Sequence, residues 1–372
     1  MDFVLTEAQR ELAALTRQVV SGQAGRGGAG PAAAGPAGLD AGLWAGLAQA
    51  GVLAAALPES LGGAGAGLLE QCSVLAELGR AVAAAPYLSS VLLGAGAIAR
   101  FGTPAQQQRW AGPAGRGELI IAVALADENS DDLAAPAVRA ERDGDGWLLS
   151  GVKTAVPAGT SAGLLLVPAA AGQGGAAVFG VAPGDGGVTV QPQQLTAASA
   201  ARVVLDRARL PGDRLLGSPA AGPQILGWLT ERGTTGLCAL QYGILERALE
   251  LTAQHARERV QFGRPIGSFQ AVAQRLADAY IDVEAVRLTM WQAAWRLEAG
   301  LEAAAEVAMA KFWAADAGHR VAHTAVHVHG GLGVDLSGPV QQYFLAAKHC
   351  EFALGGATAQ LRRLGALLAA GE

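Results

Sequence analysis

Apolar residues recur at helical spacing from Thr6 to Phe101, interrupted by glycine-rich stretches. Thr6-Glu-Ala-Gln-Arg-Glu-Leu opens an amphipathic helix, with Thr6 as N-cap and Gln9 at the capping-box position. The Gly/Ala/Pro stretch from Gly22 to Gly38 reads as loop. A second helix runs from Leu43 to Leu53 and closes at the turn around Leu57-Pro58-Glu59. Gly62 to Gly67 leads into a helix from Leu68 to Ala83, and another spans Tyr87 to Phe101, stopped by Gly102-Thr103-Pro104.

Near Leu119 the period shortens. Strand patterns cover Ile120 to Leu125, Ala137 to Arg142 and Gly146 to Gly151. Asp143-Gly-Asp-Gly between the last two is a hairpin-turn signal. Further strands are predicted over Gly163–Val167, Gly175–Val181, Gly187–Gln191 and Ala201–Leu205, separated by turn signals at the spacing of a sandwich or barrel. From Pro223 the helical period returns and holds, over Pro223–Arg257, Gly267–Ala299, Gly300–Val328, Gly338–Ala353 and Ala357–Ala369. Long amphipathic helices with short connections predict a bundle. The order is helical, β, helical, which makes an α+β multidomain chain and not an alternating α/β fold. The expected division is an N-terminal helical domain over 1–118, a middle β-barrel or sandwich domain over 119–222, and a C-terminal four-helix-bundle domain over 223–372.

Composition narrows the function classes. The 372 residues are enough for two or three domains, and 51% are apolar, which supplies a large core. The net charge is −5 with acids and bases interspersed, so no basic face for nucleic acid is visible. No apolar run is long enough to span a bilayer; Gly117 to Ala126 is short and reads as a buried strand or helix start. Asp2 stands where a signal peptide would be basic. Cys72, Cys238 and Cys350 lie far apart without metal or redox spacing, as free buried thiols of a cytoplasmic protein would.

The most informative segment is Ala256-Arg-Glu-Arg-Val-Gln-Phe-Gly-Arg-Pro-Ile-Gly-Ser-Phe-Gln-Ala271. Arg259 offers a fork of donors to a phosphate, and Phe262 a flat face for a ring. The same segment also reads as an ordinary helix-turn-helix corner with solvated arginines. Arg259, Phe262, Gly263 and Gln270 together match R-x-x-F-G-x-x-x-x-x-x-Q, and here the chain resembles the acyl-CoA dehydrogenases. The resemblance extends along almost the whole chain. It includes Leu57-Pro58-Glu59 with Gly62-Gly63, Leu78-Gly79-Arg80-Ala81, Phe101-Gly-Thr-Pro, and His329-Gly330-Gly331-Leu-Gly333.

The resemblance implies the acyl-CoA dehydrogenase fold, FAD as cofactor and an acyl-CoA substrate. A glutamate removes the proton beside the thioester, and the neighbouring carbon gives hydride to the flavin, leaving a trans-enoyl-CoA. In the family the Arg259/Phe262/Gln270 corner reaches the flavin diphosphate and adenine of a neighbouring subunit, and the Gly330-Gly331 turn approaches its ADP portion. His327 stands where the family often has glutamine. Ser130, in Ala126-Asp127-Glu128-Asn129-Ser130-Asp131, and Val156, in Ala155-Val156-Pro157, fall in two further flavin-contact stretches. Both stretches depart from the family pattern: the first is shortened, and the second lacks the tryptophan and threonine that serve the isoalloxazine ring.

The base also departs. The commonest family position falls at Leu354 or Gly355, within Ala353-Leu354-Gly355-Gly356. The other family position falls near Gly233. Glu231 lies two residues earlier, about 200° around a helix. Glu351 lies about one turn before Leu354 on the same helical face. These two carboxylates are the candidate bases, and each also reads as a solvated or paired surface acid. His319, His323 and His327 share a helix face with His329 beyond, a spacing that can hold a metal; without a carboxylate partner beside them no metal is expected.

Three readings follow. In one, the chain is a subunit that has lost its base and pairs with a homologous catalytic subunit in a heterotetramer, as in bacterial sterol-degrading members of the family. In another it is a homotetramer using Glu231 or Glu351. In the third it is a flavin-free scaffold or binding subunit. An electron-transfer flavoprotein or similar acceptor is implied by the first two.

Overall fold

The computed structural model describes residues 3–24, 39–130, 132–172, 175–196, 198–336 and 338–371. Helix α1 (Glu7–Ala24) begins with the expected reciprocal cap: the Gln9 amide N–H donates to Thr6 Oγ1 at 3.2 Å and the Thr6 N–H donates to Gln9 Oε1 at 2.6 Å. It runs through Gly22, so the predicted loop starts later; the rest of that stretch, 25–38, lies outside the described residues. Helices α2 (Ala41–Gln49) and α3 (Leu68–Arg80) follow. The predicted helix ending at Phe101 opens as a π-helix, Leu88–Ala95, wider in radius with i→i+5 hydrogen bonds, and continues as α4 (Gly96–Phe101). Short helices α5 (Pro104–Gln106) and α6 (Gly112–Gly115) complete this part.

Seven strands form one sheet: β1 (Ile121–Val123), β2 (Arg139–Asp143), β3 (Gly146–Pro157), β4 (Leu164–Ala171), β5 (Gly175–Val181), β6 (Val188–Gln194) and β7 (Ser199–Leu210). The order is β1-β4-β2-β3-β7-β6, with β5 also on β4. The predicted hairpin is present, with Asp143 opposite Gly146. Pairing is antiparallel except where β1 and β2 each run parallel to β4. Alternation along the strands sends side chains into two cores. Ile121, Val123, Leu164, Leu166 and Val178 join the helical core. Ala122, Leu165, Val167, Phe179, Val203 and Trp147 close a second core inside the curled sheet.

The C-terminal helices are α7 (Gly222–Glu258), α8 (Gln270–Glu298), α9 (Ala304–His329), α10 (Pro339–Phe352) and α11 (Ala357–Ala370). Four make the bundle expected from the sequence, and α11 adds a fifth helix packed on α9. The alanine-rich face of α9 lets it sit among the other four. Helix α3 reaches α7 through glycine. A Cβ on Gly243 would lie 1.9 Å from the Ala76 carbonyl oxygen, and one on Gly79 would lie 2.2 Å from that of Leu240. Only glycine permits backbones that close. Among the described residues no helix is long and apolar enough to cross a membrane.

Candidate functional site

The corner that follows α7 is a small exposed hairpin, β8 (Val260–Gln261) against β9 (Arg264–Pro265). Its turn places Phe262 and Gly263 at φ +53° and +79°. Left-handed backbone at phenylalanine is unfavourable, and here it holds the ring out, 92% exposed. Phe269 meets that ring edge-on at 6.1 Å, and Arg264 lies over Phe269 at 4.2 Å. Arg259 caps α7, its N–H donating to the His255 carbonyl at 2.8 Å. Its guanidinium is exposed and, among the described residues, unpaired. Gln270 is exposed at the start of α8. The structure thus brings Arg259, Phe262 and Gln270 to one protruding surface.

At the end of α9, Gly330 takes φ +60° and ψ −135°, a conformation reserved for glycine, and a Cβ on Gly330 or Gly331 would meet open space. His327 is exposed one turn before. His319 and His323 go elsewhere: their rings tilt against each other at 4.4 Å, and His323 meets Phe344 edge-on at 5.2 Å. Among the described residues no group of three or more His, Cys, Asp or Glu is placed to hold a metal ion.

The stretch containing Ser130 is fixed by two ion pairs. Asp127 Oδ2 accepts from Lys153 Nζ at 2.9 Å with both side chains out of water, and Glu128 is forked by Arg202 at 2.6 and 3.1 Å. Burial pulls the Lys153 ammonium below the usual lysine range, with Asp127 opposing. Ser130 Oγ accepts from the Asp132 N–H at 3.2 Å. On β3 the register shifts between Lys153 and Val156, with Ala155 at φ +48°. Gln193 Oε1 takes the freed Ala155 N–H at 2.8 Å. The Val156 side chain is buried in the inner core of the sheet, so only its backbone could meet a cofactor.

The two positions at which the resemblance implies a base, Leu354 and Gly233, converge. A Cβ on Gly233 would stand 3.3 Å from Leu93 Cδ1 and 3.6 Å from Leu354 Cδ1. The place is lined with hydrocarbon. Glu351 does not share a face with Leu354, because α10 ends at Phe352 and Leu354 turns left-handed at φ +56°. Its carboxylate is held by Lys348 Nζ at 2.7 Å and lies 3.2 Å from His319 Nδ1. Glu231 is half-buried and, among the described residues, has no ion-pair partner; burial raises its carboxyl above the usual range, while Arg363 and Arg232 pull the other way.

Two buried side chains that sequence reasoning passed over hold the end of α10 and the turn that follows it. Lys311 Nζ donates to the carbonyls of Cys350 at 3.0 Å and Glu351 at 3.1 Å. Gln360 Nε2 donates to those of Leu354 at 3.0 Å and Gly355 at 3.3 Å. Lys311 is fully buried, and burial lowers its affinity for a proton. The signal was a lone lysine in the alanine face Val307, Ala308, Ala310, Lys311, Ala314.

Comparison with known proteins decides the family. The model for the acyl-CoA dehydrogenase N-terminal domain matches residues 6–118, and that for the C-terminal domain matches residues 224–368. Acyl-CoA dehydrogenase FadE27 of Mycobacterium tuberculosis is 48% identical over 99% of each chain. The chain belongs to the acyl-CoA dehydrogenase family. Among solved structures, the ChsE4-ChsE5 complex from Mycobacterium tuberculosis superposes with a TM-score of 0.90 at 49% identity, over 99% of both chains. A variant of the Tcur3481-Tcur3483 steroid ACAD gives 0.90 at 39% identity, over 98% of both. Membership of this family makes the chain an oxidoreductase of the flavoprotein type. Its surface fits that cofactor unevenly: an unpaired arginine, an exposed aromatic and a glycine turn suit the ADP half, whereas Ala155-Val156-Pro157 offers the isoalloxazine ring no aromatic face.

Proposed function

We propose that this chain is the base-lacking subunit of a heteromeric FAD-dependent acyl-CoA dehydrogenase that desaturates a bulky, steroid-like acyl-CoA. The observation that carries this is the contact of Leu354 and Leu93 with Gly233: neither family base position can take a proton. The bound flavin supplies the hydride acceptor. This chain's part is to present Arg259 to a diphosphate, Phe262 and Gln270 to the adenosine side, and the Gly330-Gly331 backbone to the ribose. Ser130, the Val156 backbone and His327 border the same cofactor. The sister subunit supplies the proton-abstracting carboxylate. The similarity to one member of the ChsE4-ChsE5 pair and to a steroid ACAD supports both the partnership and the substrate class. The division at 118/119 and 222/223 into three domains belongs to the same proposal, as does an electron-transfer flavoprotein as acceptor.

The test is expression with and without a homologous subunit encoded beside it. The chain alone should lack flavin absorption and fail to reduce a dye with any acyl-CoA, while the pair should be yellow, active and heterotetrameric. A yellow, active homotetramer would overturn the proposal. That outcome would favour Glu231 as base, since it is a half-buried carboxylate without an ion-pair partner. Glu231→Gln should then abolish turnover.

A further inference from the structure

The last turn of α7 and the end of α9 meet in a ring stack. His255 and His329 lie with centroids 4.3 Å apart and planes inclined by 22°. Both are half-buried. His329 Nδ1 lies 2.8 Å from the Ala325 carbonyl oxygen, so that nitrogen carries the hydrogen and donates it. His255 accepts the Arg259 N–H through its own carbonyl, and His329 immediately precedes the left-handed Gly330. The stack therefore joins the Arg259 corner to the Gly330 turn.

The surroundings of His255 run against a second proton on its ring. Burial holds His255 below the usual imidazole range, helped by His329 from α9 and by Arg259 at the cap of its own helix, while Glu258 acts the other way. The turn Ile266–Ser268 packed on α7 brings no titratable side chain, and Arg264 on β9 is directed over Phe269. Once the stack opens, the imidazole regains its ordinary value of about 6.5. The opened state then binds more protons, so the stack is at full strength above about pH 6.5 and weakens as pH falls through that value.

We infer that His255 and His329 are a positioning pair that locks the corner and the glycine turn into one diphosphate-binding arrangement and releases it on acidification. This rests on the reading that the corner holds a flavin together with a sister subunit. The test uses the co-purified heteromeric complex, with released flavin read by fluorescence and native mass followed in parallel, between about pH 7.5 and about pH 5.5. Wild type should lose flavin over that range. His255→Phe keeps an aromatic stack and removes the imidazole that gains a proton on opening, His329→Phe keeps the stack and removes a neighbour that opposes a proton on His255, and each should hold flavin to lower pH. Superimposable release curves for wild type and both variants, or flavin held more tightly by wild type as pH falls, would overturn the pair's role alone. A complex without flavin at pH 7.5 would instead overturn the underlying reading and this inference with it.

Discussion

Leu354 Cδ1 stands 3.6 Å from the point a Cβ on Gly233 would occupy, with Leu93 Cδ1 3.3 Å from the same point. Two positions distant in sequence, each the seat of a base that the resemblance implies, are here brought together among leucine methyls. Gly233→Ala should be tolerated: better helix propensity, worth up to about 1 kcal/mol, offsets the tight approach to Leu93. Gly233→Glu should lower stability by about 2–4 kcal/mol, because the side chain must push past the leucine methyls that crowd this position. Thermal unfolding of the two variants checks both, and equal melting temperatures would contradict the packing described.

Glu231 and Glu351 should behave differently when made neutral. The Glu231 carboxyl is raised by burial, so the folded chain binds its proton more tightly than the unfolded chain. Its ionisation therefore costs stability as pH rises above the ordinary carboxylate range of about 4. Glu231→Gln should be the more stable protein at neutral pH, with the advantage shrinking toward acid, and the heteromeric complex should keep its turnover. Glu351→Gln weakens contacts to Lys348 and His319 in a largely buried pair and should cost about 1.5–3 kcal/mol. Denaturation curves at several pH values separate the two.

The Asp127–Lys153 pair is out of water on both sides. Replacing one partner, as in Lys153→Met or Asp127→Asn, should cost about 3–5 kcal/mol by leaving an uncompensated group, whereas replacing both with apolar residues should recover most of that loss. A double-mutant cycle in urea measures the coupling; additive losses would show that the pair does not act as a unit.

Arg259→Ala and Phe262→Ala remove exposed groups, so melting of the isolated chain should move little. Flavin retention by the heteromeric complex should fall by about tenfold for Arg259→Ala, the loss of one charge-assisted contact of about 1.5 kcal/mol. The flavin-to-protein ratio after gel filtration is the readout.

Much of this architecture was legible because its causes are local. The Thr6/Gln9 cap, the Asp143–Gly146 turn and the long helices of the C-terminal part each follow from neighbouring residues, and the structure places all of them as expected. The corner was legible as a string of residues, although its protrusion was not. Distant contacts stayed hidden. Nothing near Glu351 in sequence announces that α10 ends before Leu354, so counting helical faces put both on one side. Lys311 reads as a surface cation by type, and only the packing of α9 against α10 turns it into a buried donor for two carbonyls. His255 and His329 carry no mutual signal along the chain, since their stack exists only where two helix ends meet.

Phe262 stands 92% exposed, with Leu336 and Val334 at 84% and 64% also uncovered. A ring of that size loses about 2 kcal/mol of favourable burial while it faces water. Copies of this chain made in excess of a covering surface would carry adhesive patches into a crowded cell, where they invite clumping and degradation. For the heteromer proposed above, balanced synthesis of the two subunits would then be a requirement of proteostasis as well as of catalysis.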